Sequence, residues 1–378
     1  MKFTIIKNNL SELIKNISPF TGGSSLAFSD TILFNVDDSS LTVTVFNDTT
    51  SVKYKTDKFT FSNYGSFVIN FNLLQSFISK FNDNDEISLS ISDDSILRIQ
   101  SKKSINDINL LDVKNFPEIN FSFQQENKFS ISTAFFRTIN QKLLPLIRNI
   151  KTNSSPLSGV YFNTTRLQDT LEVFATDGFH LAYLKSSYSG LQTSFILNRD
   201  SIRGICSVLK DEKELECYVE KNSVIIKNNN VIYKCRIIEG VYQTAPAIKL
   251  FEENKSIYSL LIKKTDILNI LERCLVLKAT DDSPIISLEF YKNQLTVKCQ
   301  SLEYGNTFDE IEVETNMEEK VSVRLNVNFL VDLIKNVKTE SLLLNLASIE
   351  QGTKSLKIIF ISEENNPSYN SFVILCRD

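Results

Sequence analysis

Cysteine and histidine are scarce in this chain, and their positions exclude several classes of site. The 378 residues include six cysteines, with none in the first 205 residues and no two within four residues of each other. This distribution excludes a disulfide framework and a zinc ribbon, so we expect buried or incidental thiols. The single histidine, His180, has no second histidine and no cysteine near it in sequence, which argues against a metal site.

Long apolar runs are missing too. No segment approaches the roughly 18 apolar residues that a membrane helix needs, and the N-terminal segment turns polar by residue 7, without a signal-peptide core. We therefore expect a cytoplasmic protein that does not enter a membrane. No P-loop, Gly-rich phosphate cradle, G-x-S-x-G motif or metal cluster can be found either, so no cofactor and no catalytic residue are predicted.

The length and composition of the chain indicate a folded protein of more than one domain. At 378 residues it is too long for one ordinary core, and two or three domains are expected. Its apolar fraction of 42% is typical of folded soluble proteins. The formal net charge of −4 argues weakly against a nucleic-acid partner when the chain is taken as a whole.

The chain contains three copies of one unit. A short apolar strand, an asparagine and an amphipathic helix recur at Asn70, Asn198 and Asn326, and the two intervals between these asparagines are equal. The strand before them ends at Phe34, Phe162 and Phe290, which are separated by the same interval. Period-two patterns fill the rest of each unit, which predicts an α+β fold with antiparallel sheets and helices on one face.

Positive charge is concentrated in the six predicted helices. These segments contain 16 basic and six acidic residues, a net of +10, so the remaining chain carries −14. The segments are 7–20, 70–82, 132–151, 198–211, 263–278 and 326–338, and Pro145 must kink or end the third of them. A basic helical surface on an acidic body suits a polyanion held through its phosphates. Ordinary solvation of Lys and Arg on exposed helix faces is the alternative.

The segment LEVFATDGFHLAYLK at 171–185 has two alternating runs around Thr-Asp-Gly. Asp-Gly between such runs is a strong hairpin signal, so Asp177 is interpreted as a turn former rather than a general base. A hydrolase or transferase that uses Asp177 and His180 is the competing hypothesis, and no supporting motif accompanies it.

The triple repeat, ATDGFHLA at 175–182, the connection EG-x-Y at 239–242 and the apolar terminus FVILCRD together resemble the bacterial sliding clamp, the beta subunit of DNA polymerase III. The resemblance covers the whole chain and implies three tandem repeats of a DNA-clamp domain, at 1–124, 125–252 and 253–378. It also implies a head-to-tail homodimer that closes a ring, with two helices per domain inside and antiparallel sheets outside.

The resemblance further implies a set of partners. Double-stranded DNA would thread the ring without sequence preference, and the ring would tether the replicative DNA polymerase. A clamp-loader ATPase would open and close it, and clamp-binding repair proteins would share one pocket for short apolar peptides between domains two and three. The protein itself would have no catalytic activity. A monomeric β-rich interaction scaffold that does not touch DNA remains the alternative.

Three sets of candidate site residues follow: the pocket from family motifs matched residue by residue, the DNA-facing set from the basic predicted helices, and the seam from the ring that the resemblance implies. The partner-peptide pocket is predicted at Leu157, Thr176, Gly178, Phe179, His180, Leu181, Tyr242, Ile248, Asn326, Phe329, Val373, Ile374 and Leu375. Simple core packing is the alternative for Leu157, Ile248 and Val373. The DNA-facing set is Lys15, Lys80, Arg137, Lys142, Arg148, Lys151, Arg199, Arg203, Lys210, Arg273, Lys335 and Lys338. The dimer seam is predicted at Ile105, Ile108, Leu110, Val276 and Leu277, with ordinary packing inside one domain as the alternative.

The chain departs from the family pattern at several of these motifs. Phe179 and His180 follow Thr-Asp-Gly where the family usually has His and Arg, and Gln243 stands where a proline is usual. Cys376 replaces the usual proline near the C-terminus, and Ser24 replaces a basic residue beside the turn at 22–23.

Overall fold

The computed structural model describes residues 1–22, 24–93, 95–147, 155–178, 180–209, 213–242, 258–277, 284–315, 319–351, 354–363 and 366–374. These residues form two compact units, each built from two antiparallel sheets. Unit 1 consists of Met1–Phe136, Ser189–Leu191 and Asp200–Ile237, and unit 2 consists of Arg137–Tyr188, Gln192–Arg199 and Ile238–Asp378.

Unit 1 contains a five-stranded and an eight-stranded sheet. In spatial order, the five-stranded sheet is β5 (Thr60–Asn63), β1 (Lys2–Ile6), β7 (Glu86–Asp93), β8 (Ile96–Ser101) and β9 (Ser104–Asn109). The eight-stranded sheet is β10 (Lys128–Ser132), β15 (Glu214–Glu220), β16 (Ser223–Lys227), β17 (Val231–Arg236), β4 (Thr50–Thr56), β3 (Leu41–Phe46), β2 (Thr31–Val36) and β6 (Gly65–Asn70). Pairing of β17 with β4 joins segments from distant parts of the chain into one sheet.

Unit 2 contains a nine-stranded and a four-stranded sheet. The nine-stranded sheet is β14 (Ser194–Asn198), β11 (Gly159–Asn163), β12 (Thr170–Thr176), β13 (His180–Ser187), β26 (Asn366–Ile374), β25 (Lys354–Glu363), β24 (Ser341–Gln351), β18 (Tyr258–Lys263) and β22 (Glu314–Thr315). The four-stranded sheet is β21 (Gly305–Glu312), β20 (Gln294–Ser301), β19 (Ile285–Tyr291) and β23 (Val321–Asn326). Pairing of β13 with β26 makes the nine-stranded sheet continuous.

Six α-helices lie in the described residues, each at one of the predicted segments. They are α1 (Lys7–Ile17), α2 (Phe71–Ile78), α3 (Thr133–Lys142), α4 (Arg199–Val208), α5 (Lys264–Val276) and α6 (Val327–Asn336). The prediction for Pro145 is confirmed, because α3 ends at Lys142 and Pro145 lies in a separate 3-10 turn, Leu144–Ile147.

The strand–asparagine–helix unit is confirmed at all three positions. Asn70 ends β6 and caps α2, where its side chain accepts a hydrogen bond from the Leu73 N–H at 3.1 Å. Asn326 caps α6 in the same way and accepts from the Asn328 N–H at 2.9 Å. Asn198 is the last residue of β14 and directly precedes α4. Helix capping therefore explains the asparagine of the first and third copies.

The third copy differs from the other two in strand register. Phe34 lies opposite Phe67 and Phe162 lies opposite Phe195, but the residue opposite Val323 is Leu288 and not Phe290. The equal spacing of the three copies in sequence therefore does not give the register of this strand, which is shifted by two residues. A shift of two keeps every side chain on its original face, so Phe290 is as fully buried as Phe34 and Phe162.

Within the described residues, the six helices contain nine basic and five acidic residues, a net of +4 against +10 for the predicted segments. Half of this difference belongs to residues outside the described ranges, namely Arg148, Lys151, Lys210, Asp211 and Lys278. The other half belongs to described residues that flank the helices. Lys80 and Lys338, for example, follow the ends of α2 and α6 instead of lying within them.

Cysteine burial agrees with the sequence interpretation. Cys217, Cys235, Cys274 and Cys299 are buried free thiols and Cys206 is half-buried. Burial raises the pKa of Cys235 to about 12, so this thiol stays protonated at neutral pH. In the part of the chain that the structure describes, no helix is long and apolar enough to cross a membrane.

Candidate functional site

The Thr-Asp-Gly motif forms the predicted hairpin. β12 pairs with β13 from Thr170 opposite Ser187 to Thr176 opposite Leu181, which leaves Asp177 and Gly178 in the turn. Gly178 has φ +94°, and its N–H donates to Thr176 Oγ1 at 3.0 Å. A positive φ favours glycine, so the motif is accounted for by backbone geometry.

Two of the predicted pocket residues lie in one apolar cluster of unit 2. We call it the aromatic cluster, and its buried members are Phe174, Leu181, Tyr183, Ile196, Tyr242 and Ala347, with Tyr161 and Ile238 packed against them. Leu181 and Tyr242 are 2% and 6% exposed, so both belong to the floor of any pocket here rather than to its open wall.

Tyr242 ties the connection after β17 to the hairpin. Its hydroxyl oxygen accepts a hydrogen bond from the Thr176 N–H at 2.9 Å, and its ring stacks on Tyr161 at 5.2 Å between centroids. Burial raises the pKa of Tyr242 well above its usual value, so the hydroxyl remains protonated. The motif EG-x-Y therefore places the end of the connection beside Thr176.

Gly240 in the same connection lies against Pro156. It has φ +131°, and a Cβ added at this position would lie 2.6 Å from Pro156 Cγ. Only glycine fits both conditions. The contact brings the connection next to the 3-10 turn Pro156–Ser158, which contains the half-buried Leu157.

Strand β26 brings the C-terminal segment to the same hairpin. His180 lies opposite Val373 and Leu181 lies opposite Phe372 in the β13–β26 ladder. Helix α6 contacts β26, with Asn326 at its N-cap and Phe329 half-buried in its first turn. The structure therefore places predicted residues from three elements, β13, β26 and α6, in one region of unit 2.

Six of the predicted pocket residues have no described side chain. Phe179, Ile248 and Leu375 lie outside the described residues. For His180, Val373 and Ile374 the structure gives the backbone alone, so the hypothesis of catalysis by Asp177 and His180 gains no supporting geometry from it.

Sequence reasoning missed a charged group beneath the aromatic cluster. Glu172 is fully buried on β12, where it accepts hydrogen bonds from Arg166 and from the Tyr183 hydroxyl. The sequence signal for this burial is weak. In the run LEVFAT the fully apolar parity is Leu171, Val173 and Ala175, and Glu172 shares the other parity with Phe174, whereas the structure buries both faces of β12.

Most described members of the predicted DNA-facing set are on the surface. Those exposed to solvent are Lys15, Lys80, Arg137, Arg203, Arg273, Lys335 and Lys338, while Arg199 is half-buried. Several of these basic side chains face carboxylates of this chain. Arg203 Nη1 lies 3.2 Å from Oδ1 of Asp200, and Arg273 Nη2 lies 2.6 Å from Oδ1 of Asp309. Lys335 Nζ lies 3.0 Å from Oε1 of Glu272. Arg148, Lys151 and Lys210 lie outside the described residues.

Lys142 corrects the prediction for this set. Its side chain is 4% exposed, and its Nζ lies 2.6 Å from Oε2 of Glu363, which is also buried. A buried ammonium paired with a carboxylate is not available to DNA phosphates, so we withdraw Lys142 from the DNA-facing set.

The predicted seam residues differ in exposure. Ile105 on β9 is 58% exposed and Val276 on α5 is 79% exposed, while Leu110 and Leu277 are half-buried. Ile108 lies opposite Leu97 and is buried against its own sheet, which leaves little of it for a partner. Exposed apolar residues that the prediction missed surround the β20–β21 hairpin in unit 2, namely Leu302, Tyr304 and Phe308.

The same arrangement of strands and helices occurs in solved structures. The sliding clamp of Bacillus subtilis matches with a TM-score of 0.87 at 17% identity, covering 100% of this chain and 99% of that one. The DNA polymerase beta subunit of Streptococcus pyogenes matches with a TM-score of 0.89 at 14% identity, covering 100% of both chains. The chain has the fold of a bacterial sliding clamp.

Sequence comparison points to the same proteins. Residues 250–376 match the family model for the C-terminal domain of the DNA polymerase III beta subunit. A beta sliding clamp of Buchnera aphidicola is 23% identical over 382 aligned residues, which cover 99% of each chain. The predicted resemblance is therefore confirmed along the whole length, and the tandem α+β clamp architecture with it.

Proposed function

We propose that this protein is a sliding clamp that closes as a head-to-tail homodimeric ring around duplex DNA. Each chain would supply three clamp domains, at 1–124, 125–252 and 253–378, and the ring would tether the replicative DNA polymerase in the cytoplasm. The observation that carries the proposal is the match of the entire chain, rather than of one domain, to clamp structures. The chain itself would be non-catalytic.

Two strand edges support a dimer seam. β9 in unit 1 and β21 in unit 2 each end a sheet and pair on one side alone within the described residues. β9 presents Ile105, which is 58% exposed, and β21 presents Phe308, which is 61% exposed. Such edges invite strand pairing with another chain. We propose that β9 of one protomer pairs with β21 of its partner, next to Val276 and Leu277.

Charge on the two edges favours that pairing. Lys102 and Lys103 form the turn before β9, while Asp309, Glu310 and Glu312 lie on β21. Opposite charges steer two surfaces together and disfavour pairing of β21 with another β21. A seam between two different surfaces closes a ring only when the rotation per chain fits, which in a homodimer is half a turn.

The basic residues on and beside the helices are proposed to contact DNA phosphates. Duplex DNA could compete with the surface carboxylates that now face Arg203, Arg273 and Lys335, because exposed ion pairs contribute only about 0–1 kcal/mol. Contacts with phosphates carry no sequence information, so the ring would slide.

The aromatic cluster, with the hairpin at Asp177–Gly178 and strand β26, is proposed to form the floor of a pocket for short apolar peptides. The polymerase, the clamp-loader ATPase and repair proteins would supply these peptides.

Solution mass tests the ring directly. Sedimentation across a dilution series should give a species of about 86 kDa, twice the chain mass of 43.1 kDa, without larger polymers. Phe308→Asp should shift this species to the monomer, because it buries a charge at the seam. Tyr64→Asp, at an equally exposed aromatic residue that directly follows β5, at the opposite end of the sheet from β9, is the matched control and should remain a dimer.

Retention on DNA separates a ring from a scaffold. A loaded ring should stay on closed circular DNA in high salt and be lost after the DNA is linearised, since it can slide off an end. A strict monomer at micromolar concentration, or equal retention on both forms of DNA, would reject the ring and favour a monomeric interaction scaffold.

A further inference from the structure

A buried carboxylate lies directly beside the aromatic cluster. Glu172 is 0% exposed on β12, on the same face of the strand as Phe174 and Thr176. Along that face, Phe174 lies opposite Tyr183 of β13, and Thr176 lies opposite Leu181. The carboxylate is thus at one end of the surface whose other end is the Asp177–Gly178 turn.

Both oxygens of this carboxylate are held. Arg166 Nε donates to Oε2 at 2.7 Å, and Arg166 Nη2 donates to Oε1. The hydroxyl of Tyr183 also donates to Oε1. A two-pronged Arg–carboxylate contact fixes orientation as well as charge, so the position of Glu172 is sharply defined.

Glu172 in turn fixes the ring of Tyr183. This ring stacks on Phe174 with centroids 4.6 Å apart and an interplanar angle of 15°, while Lys185 Nζ lies 5.1 Å from its centroid on the β13 side. Phe174 and Tyr183 both belong to the cluster that contains Leu181 and Tyr242. A rotation of the Tyr183 ring would therefore repack the proposed pocket floor.

Stability alone does not explain this arrangement. Replacing a buried ion pair by apolar residues of similar volume is often neutral or stabilising, so a fully buried glutamate is a poor choice for a purely structural core. A charged and hydrogen-bonded anchor does, however, select one arrangement of the side chains around it.

We propose that Glu172, held by Arg166, is a positioning residue for the partner-peptide pocket and orients Tyr183 so that the pocket floor keeps one shape. This inference depends on the proposed function of the aromatic cluster. The residues act through the floor and not by touching the peptide, and the pocket's ligand is a short apolar peptide.

The test uses the full-length protein and a fluorescein-labelled decapeptide that ends in Leu-Phe, with binding followed by fluorescence anisotropy. Tyr183→Phe keeps the ring and its stacking but removes the hydroxyl, so it is the variant most certain to fold. We expect Tyr183→Phe and Glu172→Gln each to raise the peptide Kd about five- to tenfold. The Kd of the double variant should be no higher than that of the single variant that binds the peptide less tightly. Non-additivity is expected because both changes break the same contact.

Two controls separate positioning from general destabilisation. Val43→Ala opens a cavity in the fully buried core of unit 1, outside the cluster, and should lower the melting temperature without changing the peptide Kd. The dimer mass should be unchanged in every variant. If the cluster variants melt earlier but bind the peptide as wild type does, the positioning role is rejected while the pocket stands. If wild type itself does not bind the peptide, the pocket and this inference are both rejected.

Discussion

Two glycines of unit 2 share a positive φ but differ in what surrounds them. Gly240 has φ +131° and lies against Pro156, whereas Gly305 has φ +98° and no atom within 4 Å of an added Cβ. An alanine at Gly305 would suffer backbone strain alone. An alanine at Gly240 would suffer the same strain and also clash with a ring that has little freedom to move.

Gly240→Ala should therefore destabilise the protein more than Gly305→Ala. Backbone strain of this kind costs about 1–3 kcal/mol, and the contact with Pro156 adds to it at Gly240. Urea unfolding of the two variants and wild type measures the difference. Equal losses for both variants would show that the connection moves away from Pro156 without cost.

At the scale of elements, one ion pair links a helix to a strand that lies far beyond it in the sequence. Lys142 ends α3 and Glu363 ends β25, and both side chains are at most 6% exposed. Glu363 also accepts the Lys338 N–H at 2.8 Å, just after α6, and the Lys338 ammonium contacts Gln141. Three elements of unit 2 thus meet at one carboxylate.

Removing one partner of this pair should lower the free energy of unfolding more than removing both partners. Lys142→Met should lose about 3 kcal/mol in the free energy of unfolding, because breaking a buried pair leaves an uncompensated charge. We place it at the low end of the usual range since Glu363 keeps the Lys338 N–H. Lys142→Met combined with Glu363→Leu should recover part of that loss. Urea denaturation measures both, and a double variant as unstable as the sum of the single ones would contradict the coupling.

At the scale of the whole molecule, acid stability depends on carboxylates distributed over three of the four sheets. The N–H of Ser39 lowers the pKa of Asp37 between β2 and β3, and Arg98 lowers that of Asp107 on β9. Lys128 lowers the pKa of Glu216 on β15, and Lys298 lowers that of Glu289 on β19. Each is charged more readily in the folded state than in the unfolded chain.

The sign of the pH effect follows from that shift. A carboxyl group with a lowered folded pKa stabilises the fold fully above its ordinary value, which is 3.8 for Asp and 4.5 for Glu. The contribution disappears as the pH falls through the folded pKa. The melting temperature should therefore be level between about pH 5 and 7 and decline below about pH 4.5.

Asp37→Asn should reduce this dependence. The variant should melt earlier than wild type at pH 7, and the difference should shrink as the pH falls through the lowered pKa of Asp37, where the wild-type side chain becomes protonated as well. Asp57→Asn, at an exposed loop position, is the matched control. Calorimetry between pH 3 and 7 measures the curves, and parallel curves for wild type and Asp37→Asn would contradict the assignment.

The sequence alone determined the local and periodic features of this protein. Alternation of apolar residues predicts the strands, Pro145 predicts the end of α3, and Asp-Gly predicts the hairpin. The triple repeat and its motifs indicated the resemblance to the bacterial sliding clamp. Apart from the repeat, these features depend on neighbouring residues, so a short window of sequence is enough to read them.

The tertiary structure decided what depends on distant partners. No local pattern reveals that β13 pairs with β26 or that Lys142 contacts Glu363 in the interior. Nor does a local pattern reveal that the register between β19 and β23 is shifted by two residues relative to the first two copies. Lys142 was therefore misassigned to a DNA-facing surface, and the contacts that hold Glu172 could not be foreseen. Burial and pairing arise from packing between segments that lie far apart in sequence, and a charged residue reads the same in sequence whether it faces solvent or another charge.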